Sequence, residues 1–322
     1  MSRGYELGFP ENNGKWTYVR RREMENTQKT TFSKWPDRIF GAAVIILSIA
    51  VVILIAYPLY FVVIASISNS NLVNQGAVTL WPKDIRFYGY EQILKDKRIW
   101  TGYGNTIIYV VVGTLLNMAI TMPAAYALSR KDFKARDVVM FYFVFTMFFN
   151  GGLVPTYMTV SSLHLISTKT ILIIFVAINT YNLIIARTFI ANSIPDDLYE
   201  AAILDGCSHF KYFFFVVLPL SKAVISVLTL YYAVFHWNDY FNALIYNSKE
   251  QNVPLQIVLR QILLLNQAFA SGNGGVQGGY GQSSADQVKY AVLIVSTLPI
   301  LCVYPFVQKY FEKGVMIGAV KG

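Results

Sequence analysis

Charged residues are scarce in this sequence, and their scarcity excludes an ordinary soluble protein. Only 14% of the 322 residues are charged, whereas soluble domains usually carry about 25% charged residues. Hydrophobic residues make up 55% of the chain, and they gather into long blocks separated by short polar stretches. This pattern is typical of a protein that crosses a membrane several times.

Cysteine and recognised catalytic motifs are also lacking. The two cysteines, Cys207 and Cys302, lie far apart, so neither a disulfide framework nor a zinc site is supported. No Gly-x4-Gly-Lys-Ser/Thr motif occurs, so the chain has no phosphate-binding loop of its own. The His-Glu-x-x-His and Gly-x-Ser-x-Gly patterns of metalloproteases and serine hydrolases are absent as well.

Six apolar runs are long enough to cross a bilayer, whose core of about 30 Å needs roughly 20 helical residues. The third is the weakest, because Asn150-Gly151-Gly152 interrupts it. The sequence therefore predicts an all-α integral membrane protein with six transmembrane helices. The runs are residues 39–67, 105–128, 138–155, 170–190, 223–245 and 290–310.

Lysine and arginine are distributed unevenly between the two sides of this predicted bundle. The side that holds the N-terminus carries 18 of them and the opposite side carries 9. Because Lys and Arg concentrate in cytoplasmic loops, we predict that both termini are cytoplasmic. Residues 1–38 then form a cytoplasmic extension, and residues 39–322 form the membrane domain. The net charge of +9 is attributed to this topology and not to nucleic-acid binding.

Two long segments, residues 68–104 and 246–289, face outward in this topology. Six glycines lie within residues 271–284, which is typical of a flexible segment. A phosphate-cradling loop is the alternative for this stretch. It lacks the Lys-Ser/Thr that should follow and the strand that should precede it.

A polar segment between the fourth and fifth runs, residues 193–222, predicts a short cytoplasmic helix. Pro195 suits the first turn of a helix, and the two aspartates that follow favour its positive end. Gly206 supplies the left-handed residue at which many helices end. Further on, Pro219 is predicted to start or kink the next element. From periodicity alone, the alternative is an amphipathic connector at the membrane interface.

The spacing within this segment matches the EAA loop of ABC importer permeases, with valine where isoleucine is usual. The matching positions are Glu200-Ala201-Ala202, three residues, Gly206, nine residues, Val216, one residue, then Leu218-Pro219. Further similar stretches are TGYGNTIIYVVVGTLLN (101–117), AAYALSRKDF (124–133), TMFFNGGLVPTY (146–157), HWNDYFNALIY (236–246) and KYFEKGVMIGAVKG (309–322). The chain therefore resembles the permease subunits of carbohydrate ABC importers, in the broad maltose-permease group and its LplC/YtcP-like branch.

This resemblance implies a type I ABC importer permease fold in the bacterial plasma membrane. It also implies a second homologous permease as a heterodimer partner, two ATP-binding subunits and an extracytoplasmic solute-binding protein. The cargo would be an oligosaccharide, derived from a polysaccharide. ATP and Mg would be bound by the partner ATPase, with no cofactor, metal or catalytic residue in this chain and with lipid around it.

The resemblance further implies that the predicted helix docks into a groove on the ATPase. Glu200 would make a charge-assisted contact, the small side chains would allow close packing, and Gly206 would form the turn. The alternative for Glu200 is a carboxylate that is merely solvated. The expected coupling residues are Glu200, Ala201, Ala202, Asp205 and Gly206.

Polar residues in the fifth run suggest a path for a neutral ligand, because ionisable groups inside a membrane usually face a cavity or a partner. Pairs four residues apart share a helix face, aromatic rings stack on sugars, and amides bond hydroxyl groups. The alternatives are an interfacial aromatic belt and polar contacts that hold helices together. The candidate residues are His236, Trp237, Asn238, Asp239, Tyr240 and Asn242.

Two other functions remain open from the sequence. One is an ABC permease for a non-sugar solute, such as an amino acid, a peptide or a phosphonate. The other is a membrane-embedded enzyme that uses Asp239 and His236, although their predicted position in the outer half of the fifth span is awkward for this role.

Overall fold

The computed structural model describes residues 5–7, 18–20, 34–270, 287–302 and 305. The chain divides into two compact units, Met1–Tyr60 and Phe61–Gly322, and each is described by itself. Nearly all of the regular structure is helical. The helices are α1 (Lys34–Ser66), α2 (Ser70–Asn74), α3 (Tyr88–Lys95), α4 (Lys97–Ser129), α5 (Arg136–Phe148), α6 (Leu153–Ser162), α7 (Lys169–Ile174), α8 (Thr180–Ser193), α9 (Asp196–Leu204), α10 (His209–Leu220), α11 (Lys222–Trp237), α12 (Phe241–Tyr246), α13 (Leu255–Ala270) and α14 (Gln287–Cys302).

Two short strands near the N-terminus are the exception to the predicted all-α architecture. Tyr5–Leu7 pairs with Tyr18–Arg20 in an antiparallel ladder of three residue pairs. Tyrosine and valine favour extended backbone, which is consistent with pairing at these positions. The pair lies in the N-terminal extension, outside the region of family resemblance.

Helix α1 confirms the first predicted span as a helix long and apolar enough to cross a membrane. Most of its large apolar side chains are exposed, among them Leu47, Leu54 and Leu59, up to the last turns, where Ile64 is buried. A helix that is apolar all round is stable only where its surface meets other apolar material. Lipid tails provide that environment for the exposed surface of α1.

Helix α4 is the second helix that is long and apolar enough to cross a membrane. Asp96 caps its N-terminus by accepting a hydrogen bond from the backbone N–H of Arg98 at 2.9 Å. Small and polar residues are buried along it, including Gly102, Gly113 and Asn117. Because these side chains take little room, α8, α11 and α13 all pack against α4.

The third, fourth and fifth predicted runs each contain a break in the helix. Helices α5 and α6 meet at a bend of 115° beside Asn150-Gly151-Gly152, and α10 and α11 meet at 82°. The fourth run is divided between α7 and α8, and the fifth between α11 and α12. Within the described residues two helices are long and apolar enough to cross a membrane, or four if each bent pair forms one span. The number six stays a prediction.

The predicted outer segment 246–289 holds regular structure in its first half. A 3-10 turn, Glu250–Asn252, precedes α13, and the side chains of Leu255, Val258 and Ile262 are buried. The glycine-rich stretch 271–284 lies outside the described residues, as does most of the end of the sixth predicted run.

Two large clusters of buried side chains lie in the second unit, besides a small one around Ile64 and Val78. The Tyr246 cluster includes Tyr246, Ile171 and Val258 and draws on α4, α7, α12, α13 and α14. The Tyr212 cluster includes Tyr212 and Leu183 and draws on α4, α5, α8, α9, α10 and α11. Helix α4 contributes to both large clusters, so it links them.

Buried polar groups join α4 to the break between α7 and α8. The side-chain amide of Asn117 donates hydrogen bonds to the backbone carbonyls of Val176 and Ala177. Those carbonyls lie where the helix is interrupted, so they lack the usual helical donors. Four residues along α4, Thr121 bonds the hydroxyl of Tyr232 at 2.8 Å, and that hydroxyl accepts the backbone N–H of Asn179. The backbone groups at the break between α7 and α8 are therefore hydrogen-bonded by side chains from both α4 and α11.

His236 on α11 completes this network. Its side chain is 2% exposed, and its Nε2 lies 2.8 Å from Oδ1 of Asn117. Because the amide nitrogen of Asn117 is donating, its oxygen accepts, and the imidazole proton must reside on Nε2. Gly113 allows this approach, since a Cβ at that position would overlap the His236 ring.

Replacing Gly113 by alanine should destabilise the protein by about 1–3 kcal/mol, the usual range for overpacking a core. The added methyl would push His236 away from Asn117 and leave buried polar atoms unpaired. Gly104→Ala on the same helix is the matched control, because a Cβ there meets nothing within 4 Å. The measurement is the denaturation midpoint in mild detergent. Equal midpoints for the two variants would contradict the tight contact at Gly113.

Candidate functional site

The segment predicted to couple the chain to an ATPase contains a short helix, as its sequence indicates. Helix α9 has Pro195 as its N-cap, and Asp196 and Asp197 lie in its first turn. Negative side chains stabilise the positive end of a helix. The acidic first turn and the short length are confirmed. Pro195 lies at the N-cap, just before the first turn in which it was predicted.

The C-terminus of α9 is closed by two backbone hydrogen bonds around Gly206. The N–H of Gly206 donates to the carbonyl of Ile203 at 2.8 Å, and the N–H of Cys207 donates to that of Ala202 at 2.9 Å. This is the Schellman arrangement, which needs a left-handed residue. Gly206 meets that need with a φ of +73°. The predicted glycine cap is confirmed.

One face of α9 is held against the loop that follows α4. The guanidinium carbon of Arg130 lies 3.4 Å from the ring centroid of Tyr199, and the Tyr199 hydroxyl lies 3.2 Å from Nδ1 of His209. Lys131 pairs with Asp196 at 2.6 Å. The hydrogen bond from Lys131 lowers the pKa of the Asp196 carboxyl below its usual value. Cation–π and ionic contacts thus fix α9 to the end of α4.

The other face of α9 is open. Leu204, at 88% exposed, is the most exposed of its apolar side chains. The structure divides the predicted coupling residues between the two faces: Ala202 is partly buried beside the Tyr212 cluster, and Glu200, Ala201, Asp205 and Gly206 are exposed. Two carboxylates, small residues and a leucine therefore share one exposed face.

Helix α10 changes its winding before Pro219. Residues Phe213–Val217 form a π-helical turn, and the chain then bends by 82° into α11. Proline has no backbone N–H and disrupts the regular ladder, so a bend here agrees with the prediction. The bend leads from the predicted coupling segment into α11, whose last two residues, His236 and Trp237, begin the predicted substrate path.

The six predicted path residues do not lie on one continuous helix. Helix α11 ends at Trp237 and α12 begins at Phe241. The i, i+4 reasoning for His236 with Tyr240, and for Asn238 with Asn242, assumed an unbroken helix, and that premise is wrong. His236 is bonded to Asn117.

The remaining path residues mostly have structural partners. Asp239 accepts hydrogen bonds from the backbone and side chain of Asn242, the latter at 2.9 Å. Tyr240 lies under Arg260, whose guanidinium carbon is 5.6 Å from the ring centroid. His236 and Asp239 hold separate side-chain partners, so no His–Asp side-chain hydrogen bond supports the membrane-enzyme alternative.

A cavity between α8 and α11 contains residues that the sequence reasoning missed. This cavity, the Tyr231 cavity, has a volume of about 560 Å³. Ligand sites are commonly of this size and combine apolar or aromatic walls with a few polar groups. The sequence signal that could have found this cavity is the presence of Asn179 and Asn182 inside the apolar fourth run. The lining residues are Val176, Asn179, Tyr181, Asn182, Leu230, Tyr231, Tyr232, Val234 and Phe235.

Comparison with known proteins identifies the group to which this arrangement is similar. Residues 99–317 match the family described as "Binding-protein-dependent transport system inner membrane component". Protein LplC of Bacillus subtilis (strain 168) is 38% identical over 265 residues, covering 82% of this chain and 89% of that protein.

The polygalacturonan/rhamnogalacturonan transport system permease protein YtcP, also from Bacillus subtilis (strain 168), is 38% identical over 265 residues, or 82% of this chain and 92% of that protein. A crystal structure of a bacterial ABC transporter involved in the import of the acidic polysaccharide alginate contains a chain with the same fold. Its TM-score is 0.79 at 35% identity, covering 88% of this chain and 100% of that chain.

Replacing Gly206 by alanine should loosen the end of α9. A side chain in the left-handed region costs roughly 1–2 kcal/mol, which corresponds to a factor of about 5–30 in local opening. Hydrogen exchange of the amides from Asp196 to Cys207 measures this opening. Gly206→Asn is the control, since asparagine tolerates the left-handed conformation better than alanine. Unchanged exchange in Gly206→Ala would show that the cap contributes nothing.

Proposed function

The chain belongs to the family of binding-protein-dependent transport system inner membrane components, and on this premise we propose that it translocates a polysaccharide-derived oligosaccharide. It is the permease subunit of a carbohydrate ABC importer, a transport subunit and not an enzyme, and it lies in the inner membrane. The resemblance stated from the sequence motifs is confirmed.

The class of cargo rests on the relatives. One is a polygalacturonan/rhamnogalacturonan permease, another is a melibiose/raffinose/stachyose permease, and the solved transporter imports alginate. These names favour an oligosaccharide over the amino-acid, peptide and phosphonate alternatives. The polygalacturonan/rhamnogalacturonan permease, at 38% identity, and the solved alginate transporter further support fragments of a polysaccharide.

The proposed assembly contains more than this chain. A second, homologous permease completes the pathway as a heterodimer, and a solute-binding protein delivers the sugar from outside. Two ATP-binding subunits hold ATP and Mg, since this chain has no P-loop sequence. We place six spans in the membrane and both termini in the cytoplasm, following the Lys and Arg distribution.

The coupling proposal rests on the difference between the two faces of α9. Its inner face is fixed to the end of α4 through Arg130 and Tyr199, and its outer face presents Glu200 beside exposed small and apolar side chains. A partner that binds the outer face and moves would therefore move α4 as well. Helices α8 and α11 pack on α4, so the group would tilt as one body and alternate access to the path.

Glu200→Ala should weaken attachment of the ATPase and reduce sugar-stimulated ATP hydrolysis. A charge-assisted hydrogen bond contributes about 1.5–3 kcal/mol, which is roughly tenfold or more in affinity. The assay is purification of the tagged chain with its bound partners, followed by ATP turnover. Glu91→Ala is the control, because Glu91 is an exposed carboxylate on α3, remote in sequence from the coupling segment.

Recovery of a second permease and an ATPase, with turnover reduced only in Glu200→Ala, is the expected result. Recovery of the chain alone, together with unchanged turnover in Glu200→Ala, would make the EAA match accidental. The membrane-enzyme alternative predicts instead a reaction without any added ATPase.

The proposed sugar path includes the Tyr231 cavity. Tyr181, Tyr231 and Phe235 offer ring faces for sugar rings, and Asn179 and Asn182 carry amides suited to hydroxyl groups. Residues 236–242 are the alternative region of the path, and within it Asp239 and Asn242 bond each other.

Tyr231→Ala should raise the KM for uptake by about threefold to tenfold, the size expected for loss of one aromatic stacking contact. The maximal ATP turnover should change less, because the coupling segment is untouched. Tyr142→Ala on α5 is the control, since that side chain is exposed and lies outside the cavity lining. If Tyr240→Ala and Asn242→Ala alter substrate preference while Tyr231→Ala does not, residues 236–242 form the contact instead.

A further inference from the structure

A small polar cavity lies where the ends of α4 and α8 meet the starts of α5 and α9. Its volume is about 360 Å³, and we call it the Arg130 cavity. It borders the anchored end of α9 but not the exposed Glu200 face, so it is separate from the proposed docking surface. The lining residues used below are Tyr126, Arg130, Lys131, Arg136, Arg187 and Tyr212.

Cations predominate around the Arg130 cavity. Arg130, Lys131, Arg136 and Arg187 line it, and the carboxylates paired with them are Asp132, Asp137 and Asp196. Four positive groups thus meet three negative groups, which leaves one positive charge in excess. A single phosphodiester, which carries one negative charge, would balance the cluster.

The guanidinium groups retain capacity for another acceptor. Asp137 serves both Arg136, at 3.4 Å, and Arg187, at 3.7 Å, and its own side chain is largely exposed. Both distances exceed the 2.7–2.9 Å of a strong charge-assisted hydrogen bond. Each guanidinium offers five N–H donors in a fixed plane, and the three arginines lie together on one cavity.

Two buried hydroxyl groups at the same cavity have no hydrogen-bond partner among the described residues. They belong to Tyr126, which is 8% exposed, and Tyr212, which is 1% exposed. Buried hydroxyls are nearly always paired, so these two are donors that remain available beside the arginines. Their ring centroids are 6.2 Å apart. Tyrosine O–H donors next to arginines suit an oxygen-rich anion.

We infer that the Arg130 cavity binds a phosphate group. Arginine and tyrosine donors would hold its oxygens, and Lys131 would exchange part of its contact with Asp196 for the phosphate. The source is either the headgroup of an anionic phospholipid or free phosphate. Under the proposed topology the cavity faces the cytoplasmic side, where basic pockets between helices attract anionic headgroups. Bound phosphate would fasten α9 more firmly to α4 and α8.

The test measures thermal stabilisation of the importer complex purified through this chain in detergent. The four probes are sodium phosphate, sodium chloride at equal ionic strength, dioctanoyl phosphatidylglycerol and dioctanoyl phosphatidylcholine. The test variant carries Tyr126→Phe and Tyr212→Phe, which remove both hydroxyls and keep the ring volumes. Tyr142→Phe is the control, because its exposed hydroxyl lies outside the cavity lining. Arg187→Gln serves as a second variant if the double variant does not assemble.

A phosphate site predicts that phosphate, phosphatidylglycerol or both raise the unfolding temperature above their matched controls. The apparent dissociation constant should weaken by about tenfold for each lost charge-assisted hydrogen bond in the double variant, and stay unchanged in Tyr142→Phe. A response to phosphatidylglycerol alone identifies the lipid as the source, and a response to inorganic phosphate identifies the free ion.

No shift in the unaltered complex, or an equal shift in the double variant, would overturn the inference. Stabilisation is measured without sugar or ATP, so the result is independent of whether the chain transports the proposed cargo.

Discussion

The structure depends on satisfying backbone carbonyls where a helix of the bundle is interrupted. Between α7 and α8 the carbonyls of Val176 and Ala177 receive hydrogen bonds from the side chain of Asn117. An unpaired carbonyl is costly in apolar surroundings, so a break there survives only where protein supplies the donors. Asn117 can reach the break because α4 and α8 pack closely, and its oxygen then binds His236. One side chain on α4 therefore joins three helices.

This constraint also explains how movement at one end of the protein could reach the other. Thr121, Tyr232 and Asn179 extend the same polar network along α4, so α4, α8 and α11 are linked at several levels. Polar contacts of this kind resist relative sliding, because each displaced group would lie unpaired in an apolar core. A displacement of α9 transmitted through Arg130 is thus expected to tilt these helices together and not to bend α4.

Local signals in the sequence predicted the coupling segment well, whereas hydropathy predicted the spans only in outline. The acidic first turn and Gly206 determine α9 through contacts within a few residues, so sequence alone contains the needed information. Hydropathy reports whether a segment tolerates lipid, but it does not report whether its helix is continuous. The interruption before Thr180 depends on donors distant in sequence, namely the side chains of Asn117 and Tyr232. For the same reason the Tyr231 cavity, which joins two separate runs, was missed.

The cations after α4 carry the predicted orientation signal and also take part in local structure. These two uses place different demands on the sequence. Orientation depends on the number of Lys and Arg residues near a span, and acidic residues contribute little to it. Local structure depends on pairing, and Asp132, Asp137 and Asp196 supply the partners. A loop can therefore carry a strong orientation signal and still be close to neutral where it contacts α9. Because pairing leaves Arg130 only 15% exposed, its charge is also positioned to hold Tyr199, which a freely solvated cation would not do. The charge count predicts which side this loop faces, but only the arrangement of its partners makes it the support of α9.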